Sequence, residues 1–410
     1  MTLLSVEQAR ARILSQFQPV ASEAILLTES DNRILAVDIV AADDLPPFDN
    51  SSMDGFAIRS VDSSNAAPAS PLTLSVVADI PAGSAPKVSL ATGEAARIMT
   101  GAQLPVGADA VVPVEDTDFN NRDAGSTAPQ QVQISKPAKS GENIRPRGMD
   151  VRKGNIVLQK GQRINPQTAG ILAMLGFPNV EVYKRPRVAL LSSGDELLDV
   201  NAALESGKIR DSNSYMLAAL IKSANAEVLP LGIAKDTRAS VTNLIEQAVE
   251  QNADLIISSA GVSVGAFDYV KEVIESNGAL DFWRVNMRPG KPLAFGNYKK
   301  IPFIGLPGNP VSAFVGFEVF VRDTIERLGG ISDRIRQTVR VRCEEEILSD
   351  GRESYLRATL HEQDGVQVAK LTGHQGSGNL LSLVQADALL IIPAGVKCVP
   401  AGQEVSAWLL

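Results

Sequence analysis

The sequence predicts a multidomain chain, with a central doubly wound α/β domain, β-rich domains before it and a small β domain after it. Three observations lead there. From Arg185 onward, short apolar runs alternate four times with amphipathic stretches, the pattern of a mainly parallel sheet wrapped by helices. Between Ala41 and Gly161 the chain is rich in Pro, Gly and Ser and carries brief β-prone runs with little helical period. After Gly330 the texture turns β again, with no room for a long helix.

In chain order, MTLLSVEQARARIL reads as an amphipathic helix with a capping box from Ser5 to Gln8. It lacks the basic and then apolar regions of a secretory signal. The runs LTLSVVADI, AARIMTG and DAVVPVED read as strands, and the polar stretches Ser60 to Pro71 and Asp118 to Gln131 as exposed loops. Asn165 and Pro166 supply an N-cap and a first-turn proline, and Gly176 a stop, framing the helix QTAGILAML. Four strand and helix pairs follow: RVALLSS with SYMLAALIKSA, EVLPLGIA with ASVTNLIEQAVEQ, ADLIISSA with DYVKEVIES, and IPFIGL with PVSAFVGFEVFVRDTIERL. The closing runs RQTVRVRC, YLRATLHEQDGVQVAKL, DALLIIPAG and EVSAWLL predict a closed or sandwich β domain of about 80 residues.

Composition removes several function classes. The chain has 39 Lys+Arg against 47 Asp+Glu, a net charge of −8, which argues against a broad nucleic-acid footprint, since that rests on many basic phosphate contacts. Two His (His361, His374) and two Cys (Cys343, Cys398), none paired at a ligand spacing, leave little for a structural zinc or a Cys/His nucleophile. They exclude a disulfide framework, and a reducing cytoplasm is the expected location. No apolar run reaches the roughly 18 residues of a membrane span, the best, Val311 to Val321, being interrupted by Glu318.

In an open α/β sheet, ligands gather beyond the carboxyl ends of the strands. There the sequence places Ser192-Ser193-Gly194-Asp195-Glu196, Lys235-Asp236-Thr237, Ala260 to Gly265, and Leu306 to Ser312. Gly-bearing loops that open helices present bare N–H groups to anions, so a phosphate or oxyanion ligand follows. Arg288 and Lys291 add two cations on a Pro/Gly turn. Glu196, Asp236 and Asp268 offer the hard oxygen donors that Mg²⁺ takes. Each feature singly has a plainer reading: a tight turn, an N-cap at Asp236-Thr237, or carboxylates in a first helical turn at Asp195-Glu196. In the N-terminal half, PPFDNSSMDGFA, Met99-Thr100-Gly101-Ala102 and the Gly-flanked Arg145-x-Arg147 concentrate polar groups in loops. They read either as rigid solvated turns or as contacts to an anionic group.

Taken together and in this order, PPFDNSSMDGFA, RIMTGAQLPVGADAVV, GENIRPRGMD, LSSGDEL, IRDSNSYML, SSAGVSVGAFDY, NMRPGKPLAFG and GLPGNPVSAFV strongly resemble the molybdopterin molybdenumtransferase family of MoeA type, related to the gephyrin E domain. The resemblance covers nearly the whole chain. It implies a linker and dimerisation domain from residues 1–45 and 141–180, an inserted β-rich domain from 46–140, a molybdopterin-binding α/β domain from 181–328, and a C-terminal β domain from 329–410. It further implies a homodimer that inserts molybdenum from molybdate into adenylylated molybdopterin, with Mg²⁺-dependent release of AMP.

The implied site residues follow the motifs. Asp54, Thr100, Asp150, Glu196, Asp236 and Asp268 match the catalytic positions, with Asp236, Asp268 and Glu196 as Mg²⁺ ligands. Substrate contacts fall to Arg145, Ser193, Gly194, Asp211, Asn213, Gly261, Ser263, Gly265, Arg288, Pro289, Gly290, Lys291, Pro307, Gly308, Asn309, Pro310 and Ser312. Further partners implied are an adenylyltransferase and the recipient molybdoenzymes. Two positions depart from the family pattern. Ala260 stands where the family has Gly, which is harmless at negative φ and costly at positive φ, and Ala266 stands where Glu is frequent. Two other readings remain: a molybdopterin adenylyltransferase, against which the extra domains argue, and a non-catalytic cofactor-binding scaffold.

Overall fold

The computed structural model describes residues 3–120, 125–260, 269–332 and 336–410. The chain forms two compact units, one of residues 38–159 with 171–176 and one of the remainder.

The smaller unit is built on a five-stranded mixed sheet in the order Ala110–Pro113, Gly55–Ile58, Glu94–Ile98, Leu72–Ile80, Gln131–Ile134. Alternation along these strands loads both faces. Phe56, Ile58, Leu74 and Val112 pack on one side, and Ala57, Ile80, Ile98 and Val111 on the other. Ser60 to Pro71, expected as an exposed loop, contains the 3₁₀ turn Ser60–Ser63 and buries Ser63 and Ala66.

In the larger unit the N-terminal helix Val6–Ser15 forms as the sequence predicts. Ser5 Oγ accepts from the Gln8 N–H and Gln8 Oε1 from the Ser5 N–H, both at 3.1 Å. Its inward stripe, Ala9, Ile13 and then Phe17, joins the α/β core. The α/β elements are β1 (Arg187–Ser193), α1 (Asn213–Ser223), β2 (Glu227–Ala234), α2 (Arg238–Glu250), β3 (Leu255–Ser259), α3 (Tyr269–Asn277), β4 (Gly278–Arg284), β5 (Pro292–Tyr298), β6 (Ile301–Leu306) and α4 (Pro310–Gly316). The sheet order is β2-β1-β3-β6-β5-β4. The first four strands are parallel, as predicted, while β5 and β4 add an antiparallel edge that the strand and helix alternation does not predict. Asp195-Glu196 open no helix: the chain runs directly into the two-residue strand Leu197–Leu198, which pairs with Ile209–Arg210. Strand order reverses at β1 and β3, so their carboxyl ends form the crevice where such folds bind ligands.

The C-terminal strands β7 (Thr338–Cys343), β8 (Glu353–Gln363), β9 (Val366–Leu371), β10 (Ala388–Ile392) and β11 (Glu404–Leu409) close on themselves. The order β8-β9-β7-β11-β10 is completed by pairing of β10 back onto β8. This is the closed form of the expected β domain. Met287–Arg288, between β4 and β5, pairs with the start of β8. Tyr355, Leu383 and Leu389 of this domain belong to the same buried cluster as Val188, Leu306 and Phe317, so the α/β domain and the barrel share one core. Among the described residues no helix is long and apolar enough to cross a membrane.

Candidate active site

A cleft of about 970 Å³ opens where the carboxyl ends of β1, β3 and β6 meet the barrel. Its α/β wall is lined by Glu196, Asp211, Asn213, Ser259 and Ala260 and by the turn Pro307-Gly308-Asn309-Pro310 with Ser312. The loop between β4 and β5 adds Arg288, Pro289, Gly290 and Lys291. Twelve of the residues expected to serve the site therefore line one cavity: Glu196, Asp211, Asn213, Arg288, Pro289, Gly290, Lys291, Pro307, Gly308, Asn309, Pro310 and Ser312.

Others lie elsewhere. Ser193 and Gly194 sit just behind the cleft at the end of β1. Gly194 has φ +146°, and a Cβ there would meet the Glu196 carboxylate at 2.4 Å, so the absent side chain lets Glu196 fold back over the turn. Asp236 and Asp195 hold each other: the Asp195 N–H donates to Asp236 Oδ2 at 3.3 Å and the Asp236 N–H to Asp195 Oδ1 at 3.2 Å. The N-cap at this turn is Thr237, whose Oγ1 accepts from the Ser240 N–H. Asp54, Thr100, Arg145 and Asp150 belong to the smaller unit. There Asp54 Oδ1 accepts from both the N–H and the hydroxyl of Thr100 at 2.7 Å. Gly261, Ser263, Gly265 and Asp268 lie outside the described residues.

The barrel wall is a finding of the structure that no sequence motif predicts. Arg352, Arg357, Gln375, Gly376, Ser377 and Gly378 line the cleft, and Arg210 joins them from the α/β side. Arg357 on β8 is 0% exposed yet has no carboxylate partner among the described residues. Its Nε donates to Ser382 Oγ (3.1 Å), Nη1 to the Gln375 carbonyl (3.3 Å), and Nη2 to the carbonyls of His374 (3.3 Å) and Gly376 (3.0 Å). Four of the five guanidinium N–H groups are thereby used, and the fifth, on Nη1, has no partner among the described residues. Burial, with neighbouring Arg288, lowers its pKa to about 10, so it stays protonated at neutral pH but would gain from a nearby anion. The loop it holds is tied across the cleft as well: the Val311 N–H donates to the Ser377 carbonyl and Asn309 Nδ2 to Ser377 Oγ, both at 3.0 Å.

Local chemistry sorts the other lining groups. Both Asp211 oxygens accept from Ser214, one from its N–H and one from its hydroxyl, which fixes the first turn of α1. Asn213 Nδ2 donates to Ser259 Oγ (2.8 Å) and to the Gly308 carbonyl (2.7 Å), stitching the β3 and β6 turns together. Five cations (Arg210, Arg288, Lys291, Arg352, Arg357) thus face two carboxylates (Glu196, Asp211), one of them already occupied. Neither Cys nor either His side chain is among the lining groups, so the cleft can position and neutralise anions but offers no thiol or imidazole nucleophile. Among the described residues no three acidic, His or Cys side chains converge as a ready metal site. The carboxylates of Asp195, Glu196 and Asp236 at the β1 and β2 ends are nonetheless the hard oxygen donors that suit Mg²⁺ with retained waters.

Ala260 takes φ +72°, the case in which its Cβ is costly. Left-handed backbone costs an L-residue about 1–2 kcal/mol, and glycine gives back about 0.4–1 kcal/mol through the flexible unfolded chain. Ala260→Gly should therefore stabilise the protein by about 0.5–1 kcal/mol, seen as a higher urea midpoint at unchanged slope. A lower midpoint would mean that the methyl's packing outweighs the backbone strain.

Family models match the chain along its length. They are the MoeA N-terminal region (domain I and II) over residues 4–176, a probable molybdopterin binding domain over 189–327, and the MoeA C-terminal region (domain IV) over 340–410. A molybdopterin molybdenumtransferase from Nostoc sp. is 41% identical, the match covering 94% of this chain and 88% of the relative. Molybdopterin molybdenumtransferase 2 of Mycobacterium tuberculosis is 38% identical over 98% of this chain and 99% of its own. Among solved structures, a molybdopterin biosynthesis MoeA protein from Pyrococcus horikoshii superposes with a TM-score of 0.84 at 32% identity, covering 100% of this chain and 99% of that one.

Proposed function

Because this chain belongs to the MoeA family, and is a transferase of molybdenum cofactor biosynthesis like its molybdopterin molybdenumtransferase relatives, we propose that its cleft binds adenylylated molybdopterin and molybdate and yields molybdenum cofactor and AMP. The observation that carries this reading is the cationic barrel wall, above all buried Arg357 with no carboxylate partner among the described residues. A buried guanidinium with an open N–H and a pKa pulled down is a site prepared for an oxyanion.

The geometry supports a division of labour. The dithiolene sulfurs that capture molybdenum belong to the substrate, so the protein needs no nucleophile of its own. Arg288, Lys291 and Arg352 hold negative charge at the mouth, and Arg357 with the Gly376-Ser377-Gly378 loop holds it at the back. Asn213, Ser259 and the Pro307 to Pro310 turn position the remainder of the substrate against the strand ends. Glu196, Asp236 and Asp268 would hold Mg²⁺, which when bound neutralises charge on the phosphoanhydride. Asp54, Thr100, Arg145 and Asp150 are proposed to serve the same reaction from the smaller unit, in a homodimer, with the recipient molybdoenzymes downstream. The family resemblance supports these roles.

Full-length similarity to molybdenumtransferases favours this activity over adenylyl transfer. The purified protein given adenylylated molybdopterin, Mg²⁺ and molybdate is expected to release AMP in a molybdate-dependent manner and to yield cofactor that reconstitutes an apo-molybdoenzyme. AMP release that ignores molybdate, or its absence at saturating substrate, would reject the proposal.

A further inference from the structure

Asp350 lies on the tight turn Ser349-Asp350-Gly351-Arg352 that leads into β8, just behind two of the cleft's cations. The turn is pinned on both sides: the Ser349 N–H donates to the Lys397 carbonyl and the Gly395 N–H to the Gly351 carbonyl, both at 2.8 Å, and Gly351 takes φ +86°. One carboxylate oxygen, Asp350 Oδ2, accepts from Arg352 Nε at 3.0 Å and from Arg352 Nη2, and lies 3.9 Å from Arg288 Nη1. Its other oxygen accepts from the Arg352 N–H at 3.1 Å. Arg352 is held a second time, through Nη1 to the Met287 carbonyl at 3.2 Å. Arg288 makes only the long approach to Asp350 among the described residues, and its side chain is 43% exposed. The charges that bear on Asp350 are Arg352 and then Arg288, and they hold its carboxyl below the usual carboxylate range, so it stays ionised through the neutral range.

We propose that Asp350 is a positioning residue that acts as an internal counter-anion: it fixes Arg352 and partly neutralises Arg352 and Arg288, keeping the cleft's hold on a bound oxyanion weak enough to exchange. This rests on the reading of the cleft as an oxyanion site. Three observations favour a counter-anion over a plain surface ion pair. One oxygen serves two cations that come from different segments. Both cations line the cleft whereas Asp350 itself does not. Finally, Arg352 has a second anchor that does not involve the carboxylate, Nη1 to the Met287 carbonyl, so neutralising Asp350 is expected to lift an opposing charge without releasing that guanidinium.

Charge and position then separate experimentally. Asp350→Asn keeps one of the two acceptor oxygens, which can still serve the Arg352 guanidinium, and removes the charge, whereas Asp350→Glu keeps both oxygens and the charge. For a carboxylate on the order of 7 Å from the bound anion in a water-filled site, lifting it should tighten binding about threefold for a monoanion and about tenfold for a dianion. The probes are molybdate as dianion and perrhenate as monoanion, titrated calorimetrically into the full-length protein at low salt. Asp350→Asn is expected to bind molybdate about tenfold more tightly and perrhenate about threefold, with both gains shrinking as salt rises, while Asp350→Glu binds like the parent. A merely structural turn residue would weaken or leave unchanged the binding of both anions alike in Asp350→Asn, and that result overturns the inference. Arg357→Lys separates the two levels. If the parent binds molybdate and Arg357→Lys weakens it, the oxyanion reading stands whatever Asp350 does. If the parent binds neither anion, or Arg357→Lys binds as the parent does, that reading fails and takes this inference with it.

Discussion

Arg357→Ala is expected to lower molybdate-dependent AMP release by a hundredfold or more and to destabilise the fold by about 3 kcal/mol. The kinetic figure is that of removing one preorganised donor from a site where charge must be held, about 10²–10³ in rate. The stability figure comes from what the guanidinium leaves behind. The carbonyls of His374, Gln375 and Gly376 and the hydroxyl of Ser382 lose a donor together, at about 1–3 kcal/mol for each group that water does not reach. The cleft borders these groups, so water enters for some of them and the total stays near the low end. Arg357→Lys tests the geometry apart from the charge. Lysine keeps the cation but cannot satisfy three carbonyls and a hydroxyl from one plane, so molybdate affinity should fall about tenfold with smaller loss of stability. Thermal unfolding with and without molybdate reads both effects, since a ligand that binds only the folded state raises the midpoint. Parent-like turnover in Arg357→Ala would remove this residue from the site.

The contrast between the two walls of the cleft shows what the sequence carries and what it hides. The α/β wall is legible because strand and helix periods differ and because ligands in such sheets meet the strand ends, which together point to Glu196 and the Pro307 to Pro310 turn, while Asn213 follows only from the family resemblance. The barrel wall is not. Along β8, Leu356 and Ala358 face the barrel core, so alternation assigns Arg357 to solvent. It is buried instead because that outer face packs on the α/β domain, beside Tyr355 in the shared core. A local sign exists in His374-Gln375-Gly376-Ser377-Gly378, a Gly-flanked polar turn opening the short helix Leu380–Val384, but a site rule centred on the parallel sheet passes over it. The antiparallel pair β4 and β5 escapes for a different reason. Its runs are interrupted by Gly278, Pro292 and Gly296 and flank the Pro/Gly turn that holds Arg288 and Lys291, so turn chemistry masks the strands. The π segment Phe317–Val321 is invisible in sequence because its apolar pattern continues that of α4. Ala260 is legible as a question only, since its consequence depends on the sign of φ.

Asp236→Ala should shift the Mg²⁺ dependence of AMP release to at least about tenfold higher metal concentration while leaving the fold and oxyanion affinity close to the parent's. Two structural facts make this substitution unusually clean. The first is that Asp236 does not cap α2; Thr237 does, through Ser240, so the helix keeps its N-terminal acceptor. Thr237→Ala is the matched control, expected to cost about 1 kcal/mol of stability and to leave the Mg²⁺ titration unmoved. The second is the reciprocal pairing of Asp236 with Asp195, which sets two carboxylates against each other's backbone N–H groups instead of against a cation. Amides at 3.2 and 3.3 Å are weak partners for carboxylate oxygens, so the pair leaves hard oxygen donors beside Glu196, where a divalent ion would find them. Losing one of few oxygen ligands weakens a hard-cation site steeply because Mg²⁺ tolerates little departure from octahedral geometry. Glu196→Gln should act in the same direction, since it removes charge from the side chain that folds over Gly194. Superimposable Mg²⁺ curves for the parent and both variants would take these carboxylates out of the metal's coordination and leave the anion-binding wall as the whole of the described catalytic apparatus.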